Sequence, residues 1–251
     1  MKSKSLAIPI RIVDFSESSQ IVRLFTREHG SVDGIAKGAY REKTDFDGPF
    51  DLAVLYEVVF VGRREGGLAV LTESAVVDGF RGLRRAWPRY AAACHLIELL
   101  RGVSTAWAPD ATLFDLAAGT LGRLEGAEGD RVDLEVARFD ALALRSLGLL
   151  PPLSACVRCG RPWPGGRRSA FVSPAEGGLL CSACRAASVR GAFRVPAAAV
   201  RALVALSDFE SSLEESVLAW RECRGSAGAV VARLRDHLLE RGFPTLKVPR
   251  F

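Results

Sequence analysis

Cys156-Val-Arg-Cys159-Gly160 and Cys181-Ser-Ala-Cys184 are the stretches whose reading decides how the second half of this chain folds. Each CxxC turn points two sulfurs the same way, so four thiolates can enclose one Zn²⁺ as a tetrahedron. The 21 residues between the pairs slightly exceed the usual window of about 15 to 20. The insert Arg161-Pro-Trp-Pro-Gly-Gly-Arg-Arg168 supplies a loop that absorbs the excess. Two disulfides, or four free thiols, are the alternative reading. Four cysteines would fill the coordination sphere and leave no position for water, so the expected metal is structural, one zinc per chain.

Outward from the cysteines, the flanks read as helix. Upstream, Tyr90–Arg101, Asp110–Leu124 and Asp130–Leu147 carry apolar residues at helical spacing; Asp110 is a cap, and Leu134, Ala137, Ala141, Leu144 and Leu147 share one face. Downstream, helices are expected over Pro196–Leu206, Ser212–Cys223 and Ala227–Arg241. Residues 1–80 have a different texture. Short apolar, β-branched runs at Leu6–Phe15, Ile21–Thr26, Val32–Ala36, Phe50–Val61 and Leu68–Val77 alternate with glycine-bearing turns. Five strands in so short a span predict a small closed barrel, OB-fold or SH3-like. The expected organisation is an OB-fold barrel over 1–80, a helical bundle over 81–150 and 196–251, and an inserted four-cysteine zinc module over 151–195: an α+β multidomain chain.

Nearly half of the 251 residues are hydrophobic (49%), which excludes wholesale disorder. No apolar run reaches the roughly 18 residues of a membrane span, and the N-terminus lacks a signal-peptide core. With zinc-type cysteine spacing, this points to the reducing cytoplasm. Net charge is +5, concentrated on residues 151–196, where seven Lys and Arg face one acid. Residues 1–80 are slightly acidic, with ten basic and twelve acidic side chains. A basic balance suits an anionic partner such as nucleic acid.

No catalytic constellation emerges. The three histidines, His29, His95 and His237, stand at no ligand spacing, Cys94 and Cys223 fit buried positions, and there is no GxxxxGK[ST] loop. The expectation is a protein that is not an enzyme. Three basic groups remain as candidate DNA contacts: Lys37, Arg41 and Lys43 after the third strand, Arg63 and Arg64 in the next hairpin, and Arg81, Arg84, Arg85 and Arg89 at the barrel exit. Barrels of this kind hold single strands with basic side chains on phosphates and aromatics under bases. Of the aromatics here, Tyr40 is the best placed for exposure. Arg158, Arg161, Arg167 and Arg168 are the fallback set.

Ile21-Val-Arg-Leu-Phe-Thr-Arg-Glu-His-Gly30 with Ile35-Ala-Lys-Gly-Ala39, then Thr72-Glu73 ahead of Phe80-Arg-Gly-Leu83, then the two cysteine pairs with Phe171-Val-Ser-Pro174 and Glu176-Gly-Gly178, together resemble the RecO family of bacterial recombination and repair mediators. The resemblance implies an N-terminal OB-fold, a helical C-terminal domain and a zinc module in members that keep four cysteines. It also implies binding of ssDNA and dsDNA, annealing of complementary strands, and work with RecR to load RecA onto DNA coated by single-strand-binding protein. Such a protein would be cytoplasmic and nucleoid-associated. The family's basic loop falls on Lys37, Arg41 and Lys43. Ser19-Gln20 departs from the family, where many members have Asp followed by Arg or Lys. The rival reading is a protein-interaction adaptor with little DNA binding of its own.

Overall fold

Alternating apolar residues along the first eighty positions close into a five-stranded barrel. The strands are β1 (Lys2–Ser16), β2 (Ser19–Thr26), β3 (Gly30–Ala36), β4 (Leu55–Val61) and β5 (Ala69–Asp78). Their order is β1-β2-β3-β5-β4, with every pair antiparallel except the short β3–β5 seam. This is the OB-type solution to the edge-strand problem. Val22, Leu24, Val32, Ala36, Val58, Phe60 and Leu71 fill the interior. The long β1 serves both ends of the sheet, pairing with β4 through Ala7 and with β2 beyond it. It turns that corner at a register shift between Pro9 and Arg11. Proline has no N–H for the ladder, and a bulge is where that absence costs least.

The structure, a computed structural model, describes residues 2–62, 67–163, 169–186, 192–223 and 226–240. By compactness the chain divides into Met1–Glu128 and Gly129–Phe251. The first unit adds to the barrel a 3-10 turn at Arg81–Arg85 and the helices α1 (Trp87–Val103) and α2 (Ala111–Leu124). Asp110 caps α2 by accepting from Leu113 N at 2.8 Å, as its sequence position predicts. The second unit holds α3 (Asp130–Ser146), β6 (Ser169–Ser173), β7 (Gly178–Leu180), α4 (Ser182–Ala186), β8 (Phe193–Pro196), α5 (Ala197–Leu206), α6 (Leu213–Cys223) and α7 (Ser226–Glu240).

Two expectations are corrected. The strand expected from Phe50 starts only at Leu55. Residues 50–54 form a loop whose Phe50, Ala53 and Val54 are buried, so their apolar character comes from plugging the barrel end. The cysteine segment is also more than loop and metal. It carries a three-stranded sheet in the order β7-β6-β8. The buried residues of that sheet, Ala170, Val172, Leu179 and Val195, join one core with Leu134, Ala137, Ala141 and Leu144 of α3 and with Leu203, Leu206, Val230 and Leu234. Four residues of the predicted face of α3 thus pack in this core, whereas Leu147 lies just past the helix end, is only half-buried and is not part of it. Within this core Asp140 of α3 meets Arg235 of α7 at 2.6 Å, both almost fully buried. No helix among the described residues is long and apolar enough to cross a membrane.

Candidate metal knot and nucleic-acid interface

Two tight turns bring the cysteines together. The first CxxC sits in a hairpin closed by Cys156 N to Arg161 O at 2.9 Å and Trp163 N to Ser154 O at 2.8 Å, with Gly160 N returning to Cys156 O. The second begins as β7 ends: Cys181 leads into α4, and Cys184 N donates to Cys181 Sγ at 3.4 Å. Val157 N donates to Leu179 O at 2.9 Å, which joins one turn to the strand that feeds the other. Gly178 makes this approach possible. A Cβ there would collide with Val157 Cγ1, and its φ of +156° is one that side chains rarely adopt. Arg158 grips Glu176 through two hydrogen bonds of 2.9 Å, fixing the loop before Gly178.

The four Sγ atoms all lie within 4.8 Å of one another. A tetrahedron with Zn–S bonds of about 2.3 Å has edges of about 3.8 Å, and Cys159 Sγ to Cys181 Sγ measures 3.8 Å. No disulfide joins any of the six cysteines in this structure. Burial works to raise the Cys156 thiol, but backbone N–H groups of Cys181, Cys159 and Arg158 outweigh it and bring it down to about 6. Cys184 goes the other way, pushed up to about 12 through its contacts with Cys181 and Cys159. Sulfurs this close cannot all ionise without a positive centre to offset their repulsion. The residues therefore fit a tetrahedral thiolate-bound metal, and a set of four cysteines makes a closed structural site.

Some basic groups of the first unit are paired within the fold and others, Arg11 of β1 among them, make no ion pair among the described residues. Lys2 pairs with Glu73, Lys4 with Glu57, Arg23 with Asp33 and Arg27 with Asp115. Lys37, Arg41, Lys43, Arg81 and Arg85 are exposed and make no ion pair among the described residues. Arg89 differs from the rest of its group. Its guanidinium donates to Ala127 O at 2.6 Å, Glu125 O at 2.9 Å and Glu128 at 3.2 Å, with the side chain only 14% exposed. Arg89 is a clamp within the fold and has few donors left for a phosphate. Arg84 is partly committed too, to Asp51 and to Leu52 O, both at 2.7 Å. Arg63, Arg64, Arg167 and Arg168 lie outside the described residues; Arg161 is exposed, and Arg158 is held by Glu176.

Gln20 brings the free cations to one end of the barrel. Buried to 3%, it accepts from Phe50 N at 2.8 Å and donates to Phe50 O at 3.4 Å and to Tyr40 Oη at 3.0 Å. Tyr40 Oη donates in turn to Asp14 near the β1–β2 tip. Asp51, next to Phe50, receives Arg84 of the exit linker. The linker is held from beneath: Gly82 N donates to Glu125 at 2.8 Å, and a Cβ on Gly82 would come within 2.5 Å of that side chain. The 37–43 loop, the hairpin tip and the 81–87 linker thus share one scaffold. The sequence offered Gln20 only as a departure from a pattern, and its role as a hub was missed. It ranked Tyr40 first for exposure among the barrel aromatics, but Phe15 is the more exposed, at 62% against 43%, and it passed over Trp87, 67% exposed.

An OB-type barrel, a helical second unit and a four-cysteine knot together define a class of multidomain proteins in which a β-barrel module is joined to a metal-stapled helical one. Comparison with known proteins names the class. Residues 1–80 match the family described as Recombination protein O N terminal, and residues 84–247 match Recombination protein O C terminal. The chain is 34% identical over 236 residues to a DNA repair protein RecO of Anaeromyxobacter dehalogenans, covering 94% of this chain and 91% of that one. It is 38% identical over 180 residues to the RecO of Rhodopirellula baltica, covering 72% of this chain and 66% of its relative. The chain belongs to the RecO family of DNA repair proteins.

Proposed function

We propose that this protein is a non-enzymatic mediator of recombinational repair in the cytoplasm, at the nucleoid. It binds ssDNA and dsDNA without reading sequence, anneals complementary strands, and with RecR helps load RecA onto DNA covered by single-strand-binding protein. The observation that carries the reading is the segregation of charge on the first unit. Lys2, Lys4, Arg23 and Arg27 are neutralised in place, whereas Lys37, Arg41, Lys43, Arg81 and Arg85 at the Gln20 end, with Arg11 on β1, make no ion pair among the described residues. Unpaired cations hold phosphates whatever the bases attached. Neutralising two backbones lowers the repulsion between strands and favours annealing. The bound metal is Zn²⁺, and its role is to fix the turns around β7, since metal binding supplies folding free energy.

The test is a triple reversal, Lys37→Glu, Arg41→Glu, Lys43→Glu, read by anisotropy with a labelled single strand across a salt series. If each residue neutralises one phosphate, the slope of log affinity against log salt falls by about 2, near 0.7 per contact. Unchanged affinity and slope would move the site to the second unit, with Arg161 the first position to reverse. The adaptor reading draws on a different feature. Val13, Ile21, Ile35, Val70 and Val61 stand opposite one another across all five strands, on the outside of the barrel. Three of them, Val13, Val70 and Val61, are 41–44% exposed. Such an aliphatic row suits a protein partner, for which RecR is the candidate. Loss of RecR binding on Ile35→Glu, with DNA affinity kept, would establish that surface.

A further inference from the structure

Among the described residues, no hydrogen bond or ring contact holds the Trp87 indole. Trp87 is the first residue of α1, it is followed by Pro88, and the residue is 67% exposed. Tryptophan buries a large apolar area when packed, so leaving it in water forgoes one of the larger stabilising contributions a side chain can make. The ring is not free to wander far from its setting. The preceding turn is clamped by Gly82 to Glu125 and by Arg89 to the carbonyls of Glu125 and Ala127. Arg81 and Arg85, both exposed and unpaired, flank it within the same segment. A second ring is presented the same way. Phe15, 62% exposed, projects at the β1–β2 tip beside Asp14, which the Tyr40–Gln20 chain of hydrogen bonds ties to the loop that receives Arg84. Tyr40 itself is held at its hydroxyl by two partners and is the less available ring.

We propose that Trp87, with Phe15 as a second platform, stacks on unpaired bases and so gives the protein a grip on single strands that a duplex does not receive. The proposal rests on the DNA-binding reading above. Exposed rings between phosphate-holding cations are what sequence-tolerant single-strand recognition requires, because every base offers a π-face and only an unpaired base can turn it outward. A paired base is already stacked on its neighbours, so a duplex is held through phosphates alone. A base resting on an indole keeps its Watson–Crick edge free to meet a complementary strand.

The test compares three labelled ligands of equal length at one salt concentration: a thymidine single strand, the same backbone with abasic sites, and a blunt duplex. Trp87→Ala is expected to weaken the thymidine strand about five- to 150-fold, and to leave the abasic strand and the duplex unchanged. Trp87→Phe should retain most of the affinity, and Phe15→Ala should lower single-strand affinity further in combination. DNA-induced quenching of indole fluorescence should fall in Trp87→Phe, with Trp107, Trp163 and Trp220 left in place. Equal loss on all three ligands, or no loss on the thymidine strand, overturns the stacking role. If the wild-type protein binds none of the ligands, the DNA-binding reading fails with it. If it binds single strands with a steep salt dependence and Trp87→Ala binds as tightly, only the stacking proposal falls.

Discussion

Replacing Gln20 by alanine removes no charge and alters a residue that is itself buried, yet it should loosen the whole proposed DNA-binding end. The magnitude follows from the hydrogen-bond accounting. Gln20 is the acceptor for the buried Phe50 N–H and a donor to Phe50 O and Tyr40 Oη. Tyr40 keeps Asp14 as a partner, so its loss is small. The Phe50 N–H has no substitute and bears the desolvation cost of an orphaned donor, about 1–3 kcal/mol. The four missing heavy atoms leave a cavity worth on the order of 1 kcal/mol. A total of about 2–4 kcal/mol should appear as easier local opening, equivalent to amide exchange about thirty- to 800-fold faster. Hydrogen exchange read by mass spectrometry should place that increase in residues 37–54 and in the 79–86 linker tied to Asp51. Single-strand affinity and its salt slope should fall together, because dispersed cations hold fewer phosphates at once. Unchanged exchange at Phe50–Leu52, or a loss of protection spread evenly over the first unit, would refute the hub.

Metal removal by a strong chelator should release one Zn²⁺ per chain, detected with a zinc indicator, and should destabilise the second unit as a whole, because β6, β7 and β8 share their core with α3, α5 and α7. Far-UV circular dichroism with and without chelator checks this. Gly178→Ala should speed metal loss to a competing chelator, since the new methyl runs into Val157 Cγ1; adding Val157→Ala should recover part of the loss. Asp140→Ala should cost about 3 kcal/mol in denaturant unfolding by leaving Arg235 buried without its strongest partner. Replacing both by apolar residues of similar volume should cost much less. Arg89→Ala should lower stability by roughly 1–3 kcal/mol, since the carbonyls of Glu125 and Ala127 lose their charged donor. Any fall in DNA affinity should then track that instability without a change in salt slope.

Periodicity and spacing are local quantities, and what depends on them was legible in the chain. The apolar run at Ile21–Thr26, the helical positions Leu134, Ala137, Ala141 and Leu144, the Asp110 cap and the two CxxC turns each depend on a few neighbouring residues and appear in the structure as read. The same local reading stretched the fourth strand to Phe50, because an apolar run looks alike whether it extends a sheet or plugs its end. The sheet of the cysteine segment escaped notice because strands of three to five residues are too short for alternation to register.

Charge was legible only as a count. Lys4, Arg23, Arg84, Arg89 and Lys37 are equivalent in a composition. Which of them is neutralised, which clamps a carbonyl and which is left unpaired depends on residues ten or more positions away: Glu57, Asp33, Asp51, Glu125 and, for Lys37, the lack of any acid near enough to pair among the described residues. The chain by itself determined the barrel, the helices, the thiolate set and the family. Only the fold, by bringing Gln20 against Phe50 and Tyr40, decided which basic and aromatic side chains share one end of the barrel, because hydrogen bonds and ion pairs obey distance in space and not separation along the backbone.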